Sequence, residues 1–112
     1  MAYRSRGNMG VDILRFQGDL NAIEMVRIKN RLSRLLKKNH KKLLLDLRQA
    51  KHVELAGLGI LVDRLMKVRA VNGDIKLCNM HPEVEKTLKM VGVGELMESF
   101  RSEEEAIRSF AA

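Results

Sequence analysis

The feature that most constrains the fold of this chain is the leucine-rich run LLLDL at residues 43–47. Leu43, Leu44 and Leu45 are consecutive, so in an extended strand their side chains alternate between the two faces of a sheet. Apolar residues on both faces require cover on both faces, which is typical of an inner strand. The stretch KKLLLDLRQ therefore predicts a central strand in a parallel or mixed sheet.

The segments on either side of this strand have the periodicity of amphipathic helices. Asn21 can cap a helix from Ala22 to about Lys38. The apolar side chains of that helix recur at three- and four-residue steps, at Met25, Ile28, Leu32, Leu35 and Leu36. A second helix is predicted from about Gly57 to Val71, and Gly73 can adopt the left-handed conformation that ends it. Its inward side chains are Leu58, Leu61, Val62 and Leu65.

Two shorter helices are predicted in the last third of the chain. Pro82 suits the first turn of one, which Gly92 ends. The inner side chains of that helix are Val84, Leu88 and Val91. Ser102 and Glu105 form a capping box for the last helix. Its Ala106, Ile107 and Phe110 are expected to lie on the sheet.

Strands are predicted between these helices. VDILRF at residues 11–16 suits a strand near a sheet edge, with Val11, Ile13 and Phe16 on the apolar side and Asp12 and Arg15 opposite. AYRSR is expected to pair with it through a turn at residues 7–8. IKLCN and LMESF supply the other strands. The alternation predicts an α/β fold, with a mixed sheet of four to five strands and about four helices packed against it.

Length and composition favour one globular domain over residues 1–112, with 46% hydrophobic and 31% charged residues. No apolar stretch approaches the roughly 20 residues of a membrane span, and the first residues lack the apolar core of a secretory signal. The single cysteine, Cys78, excludes an internal disulfide and suits the cytoplasm. The net charge of +7 comes from residues 1–42, which carry eleven Lys and Arg against three Asp and Glu.

The stretch HVELAGLGIL at residues 52–61 is the strongest candidate for a site. It follows the central strand and opens a helix at Ala56-Gly57, so free backbone N–H groups and the positive helix end lie at the sheet edge. Gly57 and Gly59 allow either the close approach of a partner or tight packing of the helix on the sheet. The glycines considered without further context favour the packing turn.

Several motifs in the correct order resemble those of the STAS domain, the family of bacterial anti-sigma factor antagonists. They are QGDLN at 17–21, LLLDLRQAKHVELAGLGIL at 43–61, and the segment 72–107, NGDIKLCNMHPEVEKTLKMVGVGELMESFRSEEEAI. The second is similar to the family's apolar strand ending in D-L, followed by a short loop and D-S-S-G-[LI]-G. The resemblance covers the chain from about Val11 to Phe110.

In that family the second serine of D-S-S-G accepts a phosphoryl group from an anti-sigma factor kinase, and phosphorylation releases the partner. The resemblance places Glu54 at the Asp of that motif, Leu55 at the first Ser and Ala56 at the phosphoacceptor. Ala56 has no hydroxyl, so the usual off-switch is absent. A rival interpretation, in which Glu54 mimics phosphate, is weaker because the family is already acidic at that position.

The resulting hypothesis is a non-enzymatic binding module for an anti-sigma factor or serine kinase-like protein. Its partner-binding residues are Gly18, Asp19, Val53, Glu54, Leu55, Ala56, Gly57, Leu58, Gly59 and Leu61. No metal ligand spacing, cofactor motif or hydrolytic constellation is visible. The alternatives are a STAS subunit of a lipid-handling ABC transporter and a basic adaptor for nucleic acid, the latter disfavoured because aromatic platforms are few. Homodimer formation is left open.

Overall fold

The computed structural model describes residues 2–3 and 9–111. Its strands are β1 (Ala2–Tyr3), β2 (Asp12–Arg15), β3 (Lys42–Asp46), β4 (Asp74–Cys78) and β5 (Ser99–Phe100). Its α-helices are α1 (Ala22–Lys37), α2 (Leu55–Arg69), α3 (Pro82–Met90) and α4 (Glu103–Ser109), and a short 3₁₀ helix spans Val93–Glu95. The predicted turn at residues 7–8 lies outside the described residues.

The strands form one mixed sheet in the order β1-β2-β3-β4-β5. β1 is antiparallel to β2, whereas β2, β3, β4 and β5 are parallel to one another. β3 therefore lies in the middle, and Leu43, Leu44 and Leu45 are all fully buried. The structure confirms the predicted central strand and the α/β class, with four α-helices among the described residues.

One face of the sheet is covered by α1, α2 and α3. Leu43 and Leu45 of β3 point to this face and belong to the larger core cluster. The helices contribute the side chains predicted from their periodicity, including Met25, Ile28, Leu32, Leu58, Leu61, Leu65, Val84 and Leu88. Because α1 and α2 lie side by side on one face of the sheet, their amino-terminal ends meet at the same edge.

The other face of the sheet is covered by α4. Leu44 points to this face and packs with Ala106 of α4 in a smaller cluster that also contains Val11, Ile13 and Cys78. The ammonium group of Lys76 in β4 lies 4.3 Å from the centre of the Phe110 ring and donates a hydrogen bond of 2.8 Å to Ser109 Oγ. α4 therefore covers the second face of the sheet, as predicted from the sequence.

The structure corrects the predicted facing of β2. Phe16 is buried in the larger cluster, on the opposite face from Val11 and Ile13. Asp12, predicted on the polar side, is only 1% exposed, and its Oδ2 lies 3.1 Å from Nδ1 of His40. β2 lies between β1 and β3 and is covered on both faces of the sheet. Neither face of the strand is therefore polar, unlike the solvent-exposed face expected of an edge strand.

Two helix ends also differ from prediction. Asn72, with φ of 67°, takes the left-handed conformation assigned to Gly73. Gly73 is needed for a different reason, since a Cβ atom there would lie 2.7 Å from the Lys41 carbonyl oxygen. Val91, predicted to face inward, is 45% exposed because α3 ends at Met90 and Val91 is already its cap.

Candidate functional site

The loop after β2 and the loop after β3 are joined at the carboxyl edge of the sheet. Leu20 and Val53 form an isolated parallel bridge. The Leu20 N–H donates to the His52 carbonyl oxygen at 3.0 Å, and the Glu54 N–H donates to the Leu20 carbonyl oxygen at 2.9 Å. These bonds extend the β2–β3 pairing into the loops, so the chain enters α2 along a fixed path.

Asp19 fixes the same two loops through its side chain. Its Oδ1 accepts hydrogen bonds from the backbone N–H groups of Lys51 at 2.9 Å and His52 at 3.1 Å. These two bonds favour the charged carboxylate and hold the pKa of Asp19 below its ordinary value of 3.8. Asp19 therefore positions the loop that leads into α2, while the neighbouring Gly18 has open space where a side chain would be.

Gly57 marks the closest contact between α2 and the β2–α1 loop. A Cβ atom at this position would lie 2.8 Å from the Asn21 carbonyl carbon and 2.9 Å from the Leu20 carbonyl oxygen. Gly57 is buried. At Gly59, by contrast, a Cβ atom would meet nothing within 4 Å. The packing explanation therefore holds for Gly57, whereas the outer side of α2 at Gly59 is open to an approaching backbone.

The helix begins earlier than predicted, at Leu55 rather than about Gly57. Glu54 is its N-cap, in an extended conformation that the bond to Leu20 fixes, and its side chain makes no capping hydrogen bond. Ala56 therefore lies in the first turn of α2, where backbone N–H groups lack intrahelical acceptors. The first turn contains no acidic residue.

The outer side of α2 presents apolar surface beside these groups. Leu55 is 74% exposed and Met66 is 58% exposed, so Leu55 does not pack beneath the loop. Together with exposed Gly59 and half-buried Val62, they follow one another at four-, three- and four-residue steps, which places them in one stripe. We call Leu55, Gly59, Val62 and Met66 the outer stripe of α2. This exposed apolar surface is a candidate site for another molecule.

The structure divides the predicted site residues into two groups. Glu54, Leu55, Ala56 and Gly59 are exposed and lie together at the start of α2. Leu58 and Leu61, assigned to the binding surface from sequence, are 4% and 0% exposed and belong to the core. Val53 is half-buried and packs against that core. Gly57 and Asp19 shape the surface from beneath.

Among the described residues no group of three or more His, Cys, Asp and Glu side chains could hold a metal ion. Cys78 is buried on the other side of the sheet, and burial raises the pKa of its thiol. In the part of the chain described, no helix has both the length and the apolar character that crossing a membrane would require.

Sequence analysis missed one exposed surface close to this site. Ile23 and Val26 of α1 are 85% and 48% exposed. The sequence could have indicated this surface, because Ile23 and Val26 are apolar residues that lie off the buried face of α1, which Met25, Ile28 and Leu32 define.

Similarity to known proteins extends over most of the chain. The STAS domain family model matches residues 3–106. A Bordetella bronchiseptica protein provisionally named anti-sigma factor antagonist BtrV is 25% identical over 101 residues, 90% of this chain and 87% of its own length. The anti-sigma F factor antagonist of Paenibacillus polymyxa is 22% identical over 99 residues, 88% and 85% of the two chains.

Among solved structures, the fold matches a Thermotoga maritima protein that is also provisionally assigned as an anti-sigma factor antagonist. The TM-score is 0.88 with 19% sequence identity, and the match covers 100% of this chain and 94% of the other. At this identity the likeness concerns the fold.

Proposed function

Since the chain belongs to the STAS domain family, we propose that it is an anti-sigma factor antagonist that binds a kinase-like partner without being switched off by phosphorylation at residue 56. The observation that carries the proposal is the surface at the start of α2. Ala56 is exposed there, between Glu54 and the open outer stripe of α2. The site is presented to a partner, but it lacks the oxygen that a phosphoester needs.

The geometry supports binding as the activity of this surface. Leu55 and Met66 offer apolar area, and the open side of Gly59 allows close approach. The hydrogen bonds of Asp19 and the contact at Gly57 hold the surface in one conformation before binding. A preformed surface loses little conformational entropy when a partner docks, which favours affinity.

The absence of the hydroxyl has a direct electrostatic consequence. A phosphate at residue 56 would add a charge of about −1.5 to −2 beside Glu54, which would repel an acidic partner surface and would have to lose its hydration against an apolar one. Alanine keeps the surface neutral at this position. The protein is therefore proposed to remain in a binding-competent form and to be regulated by its own abundance or by its partner.

The first test identifies the partner. The full chain is immobilised and used to capture proteins from the source organism, with Ala56→Asp as a parallel bait and Ala56→Asn as the matched uncharged control. We expect a kinase-fold anti-sigma factor on the wild-type and Asn baits and its loss from the Asp bait. Recovery of only transporter subunits on the wild-type bait would contradict the proposal.

The second test concerns the acceptor position. Because residue 56 is exposed, a serine there would be accessible to a kinase. Incubation of Ala56→Ser with the captured kinase and labelled ATP is expected to transfer phosphate to the variant and none to residue 56 of the wild type. If the variant is not labelled, the kinase does not recognise the acceptor site even with a serine present. Glu54 or Leu55 then also prevents phosphorylation, in addition to the missing hydroxyl at residue 56.

A further inference from the structure

A second exposed stripe lies on α1. Ile23, Val26, Asn30, Arg34 and Lys37 follow one another at steps of three, four, four and three residues, so they share one side of the helix. All five are exposed, opposite the buried Met25, Ile28 and Leu32. We call these five residues the outer stripe of α1. It is apolar at its amino-terminal end and basic at its carboxyl-terminal end.

The charge of this helix is not balanced locally. Residues 22–38 contain six Lys and Arg against one Asp or Glu. Within the described part of the chain only Arg27 of these six forms an ion pair, with Glu24 of the same helix. Among residues 2–3 and 9–111, the exposed basic side chains Lys29, Arg34, Lys37 and Lys38 therefore have no acidic neighbour in ion-pair contact. A cluster of this kind attracts an anionic surface.

The apolar end of the stripe adjoins the start of α2. The Asn21 backbone lies against Gly57, and Arg64 of α2 approaches Ser33 of α1 with Nη1 3.5 Å from Oγ. Both helices pack on the same face of the sheet, so their outer sides both point away from it. The outer stripe of α1 is therefore a neighbour of the α2 surface but consists of different residues.

We propose that the outer stripe of α1 binds an acidic amphipathic helix of a protein partner. Apolar side chains of that helix would cover Ile23 and Val26, and its carboxylates would pair with Arg34 and Lys37. An amphipathic helix fits because it presents residues at the same three- and four-residue steps. Complementary charge at one end fixes its direction along α1.

The apolar end of the stripe favours an acidic protein helix over nucleic acid or an anionic lipid surface. Ile23 is the most exposed of the large hydrophobic side chains described, and a phosphate backbone would leave it uncovered. A lipid surface requires a long apolar helix face to insert, whereas the stripe has only two apolar residues and α1 uses its main apolar face for the core. A protein helix satisfies both ends of the stripe.

The test uses the full chain and a defined probe, so it requires no anti-sigma factor. The probe is a fluorescent helical peptide of about 18 residues, with leucines and then glutamates along one face. At about 50 mM salt we expect saturable binding that weakens at about 500 mM salt, because ion pairs are screened. Ile23→Asp, and Arg34→Glu with Lys37→Glu, are each expected to weaken binding at least tenfold.

A matched control separates the stripe from overall charge. Lys86→Glu with Arg108→Glu changes the net charge equally at exposed sites of α3 and α4, and is expected to change binding less than about twofold. Equal loss in both double variants would overturn the proposal, as would no peptide binding at low salt. Equal affinity for a peptide with serines in place of the leucines, or tighter binding of duplex DNA or anionic vesicles, would also overturn it.

Discussion

Gly57 and Gly59 stand two residues apart on α2, yet only one of them is required by packing. Gly57 meets backbone atoms of Leu20 and Asn21 at distances that leave no room for a Cβ atom, while Gly59 faces open space. A motif of two glycines therefore has two different causes. Gly57 allows α2 to pack closely against the β2–α1 loop, and Gly59 leaves the outer side of the helix without a side chain.

The paired substitutions test this difference. Gly57→Ala is expected to lower the free energy of unfolding by about 1–3 kcal/mol, because the obstructing atoms are backbone and do not move easily. Gly59→Ala is expected to raise it by up to about 1 kcal/mol, because alanine is the better helix former and meets no obstacle. Urea unfolding monitored by circular dichroism gives both values. Equal effects at the two positions would show that the close contact at Gly57 is not rigid.

Asp19 gives a prediction about pH. Its carboxylate accepts two backbone hydrogen bonds, which lower its pKa in the folded state. A lowered pKa means that Asp19 stabilises the fold above its ordinary value of 3.8, and that this contribution is lost as pH falls through the lowered folded-state pKa. The difference in unfolding free energy between wild type and Asp19→Asn should be constant at neutral pH and decrease below the ordinary pKa.

Measurement of that difference by urea unfolding from neutral to strongly acidic pH isolates Asp19 from the other carboxylates, which both proteins share. Glu95→Gln, at an exposed residue of the 3₁₀ helix, is the control and should show no such trend. A difference that grows as pH falls would contradict the assigned hydrogen bonds.

At the scale of elements, the helices are delimited mainly by their own end residues. Asn21 Oδ1 accepts the Glu24 N–H at 2.9 Å, and Ser102 Oγ accepts the Glu105 N–H at 3.1 Å. α2 and α3 lack a side-chain cap. Pro82 marks the start of α3, whereas the start of α2 is set by the backbone bonds to Leu20. Consequently the start of α2 was the helix start that the sequence misplaced.

The caps can be tested on α1. Asn21→Ala is expected to reduce the free energy of unfolding by about 1 kcal/mol, whereas Asn21→Asp should retain most of it, because aspartate accepts the same hydrogen bond. Thermal and urea unfolding of the two variants provide the comparison. No loss in Asn21→Ala would mean that water or another group replaces the side-chain acceptor without cost.

At the scale of the whole molecule, the sheet separates two unequal cores. The face that carries α1, α2 and α3 holds most of the buried apolar side chains, and the two proposed binding surfaces lie on its helices. The other face depends on α4 alone among the described helices, held by the contacts of Arg15 with Glu103 and of Lys76 with Ser109. Detachment of α4 is therefore expected to be easier than opening of the larger core.

Cys78 reports on that detachment, because it is fully buried beneath α4 and the burial raises the pKa of its thiol. In the native protein it should react with a thiol reagent only through opening. Ala106→Asp places a charge against the sheet and should accelerate the reaction at least about tenfold, since an unpaired buried charge destabilises the closed form. Ala111→Asp, at an exposed residue, is the matched control. An unchanged rate in Ala106→Asp would show that α4 does not protect Cys78.

Local sequence by itself determined the elements and their order. The consecutive leucines of β3, the three- and four-residue steps of α1 and the caps at Asn21 and Ser102 are relations between residues close together in the chain, so they can be read without knowledge of the fold. Tertiary structure decided the rest. Whether Phe16 or Leu55 is buried, and why Gly57 tolerates no side chain, depends on which distant segment packs against each residue, and no local pattern contains that contact.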